Sequence, residues 1–125
     1  MKLRIRDDSL RLRLGQAEVS RIAEGEAVEG CMRLPAGNAF RYRLEGVSDT
    51  SSDVVGDGSG LTVRVAAASL GDWARGDGVS LALQCASAAA RLDVLIEKDF
   101  ACLTARDGDD DADSFPHPEA GSATC

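Results

Sequence analysis

The chain has 125 residues, 44% of them hydrophobic and 4% aromatic, with a formal net charge of −7. This is a globular composition, long enough for one domain with a modest aliphatic core and too short for two ordinary domains. It excludes a disordered polyelectrolyte and, since no apolar run approaches the length of a bilayer crossing, a helical membrane span.

In chain order, Lys2 to Arg6 alternates basic and apolar residues, Asp7-Asp8-Ser9 is polar, and Leu10 to Leu14 alternates again. Period-two alternation around a short polar turn predicts a β-hairpin, with Leu3, Ile5, Leu10, Leu12 and Leu14 facing the core. The period then changes. Ala17, Val19, Ile22 and Ala23 predict a short helix over Gln16–Glu24, ended by Gly25 in a left-handed conformation. Residues 27–34 return to extended spacing, and Pro35-Ala36-Gly37-Asn38 is a turn. Phe40, Tyr42 and Leu44 alternate with Arg41, Arg43 and Glu45 as a further strand. The Gly-, Ser- and Asp-rich stretch 46–60 predicts loop, with one weak strand near 53–56. Leu61 to Val65 alternates, Ala67–Arg75 is helical with Leu70 and Trp73 inward and Gly76 as terminator, and Val79, Leu81 and Leu83 alternate. Residues 86–90 turn, and Leu92, Val94 and Ile96 form the last strand.

The two halves align without a gap at an offset of 51 from Leu10 to Gly30. Leu10, Arg13, Ala17, Ala23, Gly25 and Val28 meet Leu61, Arg64, Ala68, Ala74, Gly76 and Val79 identically. One inserted residue then pairs Phe40, Tyr42 and Leu44 with Leu92, Val94 and Ile96. Order and spacing of strand, helix and terminator glycine agree, which points to two copies of one ββαββ unit, about 1–46 and 52–98. One such unit cannot bury its strands alone, so two are expected to pack face to face. The expected fold is α+β: an antiparallel barrel or sandwich with two short helices, followed by an acidic C-terminal tail.

That tail is set by charge. Residues 1–106 hold 14 Lys and Arg against 15 Asp and Glu, whereas 107–125 hold six acids and no base. Residues 1–106 are thus expected to be the single domain and 107–125 a tail, flexible or docked. The opening residues contain no apolar export region, so the expected location is cytoplasmic. The four cysteines, Cys31, Cys85, Cys102 and Cys125, make no C-x-x-C pair and are expected to be reduced thiols.

From Gly60 through Val65, the helix 67–75, Gly76 through Leu83 and Arg91 through Ile96, the second half resembles an AbrB/MazE-type swapped-hairpin unit. Such proteins pair two units, usually across a dimer, and many bind DNA; the resemblance implies a fused, single-chain version. It covers about 45 residues of the second half and extends weakly to the first. As a whole, on Lys2 to Arg6, Ser9 to Leu14 and Leu95 to Leu103, the chain also resembles a family of short uncharacterised bacterial proteins. That resemblance implies a bacterial source and no particular chemistry.

Arg4, Arg6, Arg11 and Arg13 are expected on one face of the first hairpin, joined by Arg41 and Arg43, where they could meet phosphates or other anions. The same pattern also describes a solvated sheet face with its arginines paired to neighbouring acids. The acidic tail and the lack of aromatic residues between the arginines disfavour nucleic acid. In the C-terminal segment Asp99, Cys102, His117 and Cys125 are residue types that zinc accepts, with Cys102, His117 and Cys125 the candidate ligands, although their spacing fits no compact motif. Apart from that zinc possibility no cofactor is expected. Cys31 and Cys85 are expected as small core or sheet residues of equivalent strands. With a single His in the chain, no nucleophile–base pair is expected. Gly56-Asp57-Gly58-Ser59-Gly60 lacks the Lys and the helix of a phosphate loop and is expected to be a plain loop. The function expected is therefore a non-enzymatic binding or regulatory module acting on a protein partner, monomeric or homodimeric and away from membranes. The alternatives are a DNA-binding fused regulator and a metal or redox role of the C-terminal Cys and His.

Overall fold

The computed structural model describes residues 1–87 and 89–99, and these form an α+β fold of eight strands and two short helices. The first half gives β1 (Lys2–Arg6), β2 (Ser9–Leu14), α1 (Gln16–Ala23), β3 (Val28–Arg33) and β4 (Ala39–Val47). The second gives β5 (Asp53–Asp57), β6 (Gly60–Ala66), α2 (Ala67–Arg75), β7 (Ser80–Ala86) and β8 (Arg91–Lys98). The alternating segments became strands because one face could be buried and the other left wet. Both helices follow a hairpin directly, where the apolar period lengthens. Gly25 sits at φ +88°, the left-handed turn that ends α1, whereas Gly76 ends α2 in an extended conformation.

Each sheet draws one hairpin from each half. The first sheet has the order β1-β2-β8-β7 and the second β3-β4-β6-β5. The hairpins are antiparallel, but the central pairs β2–β8 and β4–β6 are parallel. The expectation of antiparallel sheets is corrected on this point. Short turns force antiparallel neighbours, whereas β2 and β8, far apart in the chain, and β4 and β6, with β5 between them, carry no such constraint.

The two ladders correspond. Leu10 faces Val94 and Leu12 faces Ile96 in the first sheet; Leu61 faces Tyr42 and Val63 faces Leu44 in the second. These pairs reproduce the offset of 51 for one partner and 52 for the other, consistent with two similar units. One core cluster joins them: Leu10, Leu12, Leu14, Val94 and Ile96 from the first sheet, Val28, Leu44, Val63 and Val65 from the second, and Ile22, Leu70, Trp73 and Ala74 from the helices. None of the buried residues is polar or charged among those described. Dispersion and the hydrophobic effect therefore hold the centre together, with polar chemistry kept outside.

Several expectations shift. Val79, aligned with Val28, lies outside β7 and is 46% exposed, whereas Val28 is 1% exposed. Leu81 instead faces Ile96 as Val28 faces Leu44, so the register of β7 is shifted by two residues from the gapless alignment, and the strand itself begins one residue later, at Ser80. Trp73 drives the change: its Nε1 donates to the Val79 carbonyl at 3.0 Å, which ties residue 79 to the end of α2. Ile5 is 59% exposed instead of inward, because it lies near the tip of an edge hairpin, beyond the core. Cys31 points outward and is exposed, while Cys85 is half-buried against the core; in the ladder Cys85 occupies the place of Met32, not of Cys31.

Candidate anion-binding face

Inward Leu10, Leu12 and Leu14 leave Ser9, Arg11 and Arg13 of β2 on the outer side of the first sheet. Cross-strand register then builds three rows. Lys2 stands beside Arg13, Arg4 beside Arg11, and Arg6 beside Ser9. On the other side of β2, Glu97 continues the first row, Leu95 the second and Asp93 the third. Ser80, Ala82 and Gln84 of β7 complete the rows. All four candidate arginines, Arg4, Arg6, Arg11 and Arg13, thus share one face, with Lys2 as a fifth cation. Along the strand the face from Arg13 to Arg6 spans about 14 Å.

Carboxylates take up part of this charge. Arg11 Nε lies 3.3 Å from Glu97, Arg13 Nη2 3.5 Å from Asp99, and Lys2 Nζ 3.1 Å from Asp99. Asp99, a residue type considered for metal, is held by these two cations, and its N–H donates to the Leu14 carbonyl at 2.8 Å. Arg6 is exposed and makes no side-chain ion pair among the described residues. Between these groups runs an open groove of about 740 Å³, with Arg4, Arg6 and Arg11 on one wall and Ala82, Gln84 and Leu95 opposite.

The second sheet carries the corresponding groove, of about 400 Å³. Its chemistry differs. At an offset of 51, Lys2, Arg4, Arg6 and Arg11 become Asp53, Val55, Asp57 and Thr62. Arg41 and Arg43, expected to join the first hairpin, lie here on β4 instead. Arg43 bonds Glu45 and Glu29, each at 2.9 Å, and these two partners raise its pKa further. The tip of this hairpin is closed by Asp57 Oδ1, which accepts from the Ser59 N–H at 2.8 Å and from its hydroxyl at 2.7 Å; the stretch expected as a plain loop is mostly strand, with Gly56 and Asp57 ending β5, Gly60 opening β6 and only Gly58 and Ser59 in the turn.

Burial pushes the Cys85 thiol up, with Asp53 adding to the effect, which favours the protonated form over the thiolate. No group of three or more His, Cys, Asp or Glu residues that could hold a metal ion occurs among the described residues. Cys102, His117 and Cys125 lie outside them. No helix there is long and apolar enough to cross a membrane.

Sequence reasoning found the arginines and missed Lys2, although Lys2 follows the same alternation. It could not find Glu97, Asp93 and Leu95 as their neighbours, because a parallel pairing between halves leaves no local signal.

The chain matches a family of unknown function (DUF7009) over residues 1–119, and it belongs to that family. No curated protein and no solved structure matches it.

Proposed function

We propose that this protein is a non-enzymatic binding module whose first-sheet outer face takes an acidic segment of a protein partner. The observation that carries this reading is the contrast between the two grooves. Strand residues of the first sheet carry seven bases (Lys2, Arg4, Arg6, Arg11, Arg13, Arg91, Lys98) and two acids (Asp93, Glu97). Those of the second carry four bases (Arg33, Arg41, Arg43, Arg64) and four acids (Glu29, Glu45, Asp53, Asp57). On the outer face, leaving out Lys98, which turns to the Gly76 carbonyl, and including Asp99, six bases stand against three acids, about three net positive charges, where the second sheet has none.

Two features favour a peptide over nucleic acid. No aromatic side chain of the described strands stands on this face to stack a base. β1 is a sheet edge that pairs only with β2 among the described residues, and an extended peptide can add to such an edge through its backbone.

Fluorescence anisotropy with a labelled heptaglutamate peptide tests this. We expect binding at about 50 mM salt that weakens as salt screens the face. Arg6→Ala with Arg11→Ala should lower affinity about tenfold, at the scale of two exposed ion pairs. No binding at low salt, or equal binding by the double variant, overturns the proposal.

The second reading is DNA binding. It is favoured by the exchange of hairpins between halves, the arrangement a fused swapped-hairpin protein, with its two repeated units closed into one barrel or sandwich, would adopt. A duplex that binds more tightly than the peptide at about 0.15 M salt, with loss on the same substitutions, would favour it over the first.

A further inference from the structure

The edge of the first sheet selects a pattern as well as a charge. We infer that β1 takes its partner as an added strand, a segment in which carboxylates alternate with apolar residues. The inference rests on the binding role proposed above and names the sequence pattern that this role selects.

Register decides which backbone groups are open. Arg6 and Ser9 flank the two-residue turn Asp7-Asp8, so they face each other as a hydrogen-bonded pair, and Arg4 with Arg11 and Lys2 with Arg13 repeat that pairing. The far side of β2 agrees. The Leu14 carbonyl accepts from the Asp99 N–H past the end of β8, so Leu10, Leu12 and Leu14 turn toward β8 and away from β1. Their partners on β1, Leu3 and Ile5, therefore direct N–H and C=O away from the sheet, as does Met1. Tyr42 of the second sheet closes the start of this edge, since its hydroxyl donates to the Met1 carbonyl at 3.2 Å. Leu3 and Ile5 are left to bond an added strand.

Side chains then set the pattern. A partner residue opposite Ile5 falls on the inner side, where Ile5 is 59% exposed and Leu3 packs on the core, so an apolar residue there covers Ile5. A partner residue opposite Arg4 or Arg6 falls on the outer side and meets a cation. Lys2 already holds Asp99, so charge selection falls on the tip, where Arg6 is exposed. Of the four sheet edges, β1 has a base at every outer position. The outer positions of β5 include two acids, those of β3 one acid and one base, and those of β7 no charge. The same bases exclude a second copy of β1, because antiparallel self-pairing through Leu3 and Ile5 sets Arg4 against Arg4 and Arg6 against Lys2.

Peptides of fixed composition test this. The parent is Glu-Val-Glu-Val-Glu-Val-Glu, and its isomer is Glu-Glu-Val-Val-Val-Glu-Glu. Two further forms of the parent carry N-methyl groups, one on the Val nitrogens and one on the internal Glu nitrogens. We expect the isomer to bind about tenfold more weakly than the parent at low salt. Only alternate N–H groups of an added strand face β1, so one methylated form should bind like the parent and the other lose about tenfold or more. In ¹⁵N-labelled protein, with free parent peptide at about ten times its Kd, exchange of the Leu3 and Ile5 amides should slow about tenfold, while that of Arg4 and Arg6 stays as it was. Equal binding by parent and isomer, equal effects of the two methylations, or no protection at Leu3 and Ile5 overturns the added strand. If heptaglutamate still binds, and binds less to the Arg6→Ala, Arg11→Ala variant, the binding role survives that failure. Protection at Leu3 and Ile5 with affinity unchanged in the double variant upholds the added strand and removes the charged face, so the two failures are distinguishable.

Discussion

The two sheets are alike in path and unlike in charge. Each takes a hairpin from either half, joins them through a parallel pair, and turns its aliphatic residues toward one shared core. On the inner side the correspondence is close: Leu12 with Ile96 in one sheet answers Val63 with Leu44 in the other. On the outer side it fails, since Lys2, Arg4 and Arg6 answer to Asp53, Val55 and Asp57. Packing constrains the inner positions, and little but solubility constrains the outer ones. Specialisation of one face is thus possible without disturbing the scaffold.

The sharpest test of the shared core is the pair Leu44→Ala and Ile96→Ala. Both residues are 0% exposed and occupy matching ladder positions. Each substitution removes buried methylenes and leaves a cavity, which should lower stability by about 2–5 kcal/mol. Urea denaturation reads both. Similar losses support equal packing on the two sides. A loss confined to one variant would show that the core belongs mainly to one half.

Much of this was legible in the sequence, and the reasons for the remainder are specific. Alternation in Lys2–Leu14 and Leu61–Val65, and the change of period at Gln16 and Ala67, report local geometry, so strands and helices fall within a residue or two of expectation. The parallel pairs join segments far apart in the chain, and nothing in Leu10 or Val94 announces its neighbour. Arg41 and Arg43 were misplaced for that reason, since β4 joins the other sheet. Val79 misled the alignment because the indole of Trp73 holds its carbonyl, an interaction that Ile22 at the matching position has no polar group to make. The four arginines were legible as one face; the neutrality of the matching face required the register.

The comparison is expected to break next at the hairpin tips. Ser9 and Gly60 occupy matching positions, yet a Cβ on Gly60 would lie 2.0 Å from the Arg41 carbonyl oxygen. β4 passes directly against that residue, and its Arg41 N–H bonds the Ser59 carbonyl at 3.0 Å. Gly60→Ala must displace backbone, and it should lower stability by about 1–3 kcal/mol, the range for overpacking. Ser9→Ala keeps the Cβ already present and loses only the exposed hydroxyl bond to the Arg6 carbonyl, so its effect should stay within about 0.5 kcal/mol. Equal urea midpoints for the two variants would contradict the close approach at Gly60.

The smallest expected effect separates the same two tips by pH. The Ser59 hydroxyl and N–H hold the Asp57 carboxyl below its ordinary value, whereas the first tip uses a Ser9 hydroxyl on a backbone carbonyl, which does not titrate. A carboxylate whose pKa is lowered by folding contributes its stabilisation above the unfolded value and loses it as pH falls through the folded one. The window therefore lies below the usual carboxylate range, and protonation there removes the acceptor of two hydrogen bonds. Asp57 is exposed to water, so global stability should hardly move. The local signature is loss of amide-exchange protection at Ser59 on acidification, with Ser9 unchanged. Parallel loss at both positions would mean that acid opens the sheets together, and the turn at Asp57 would then not be an independent lock.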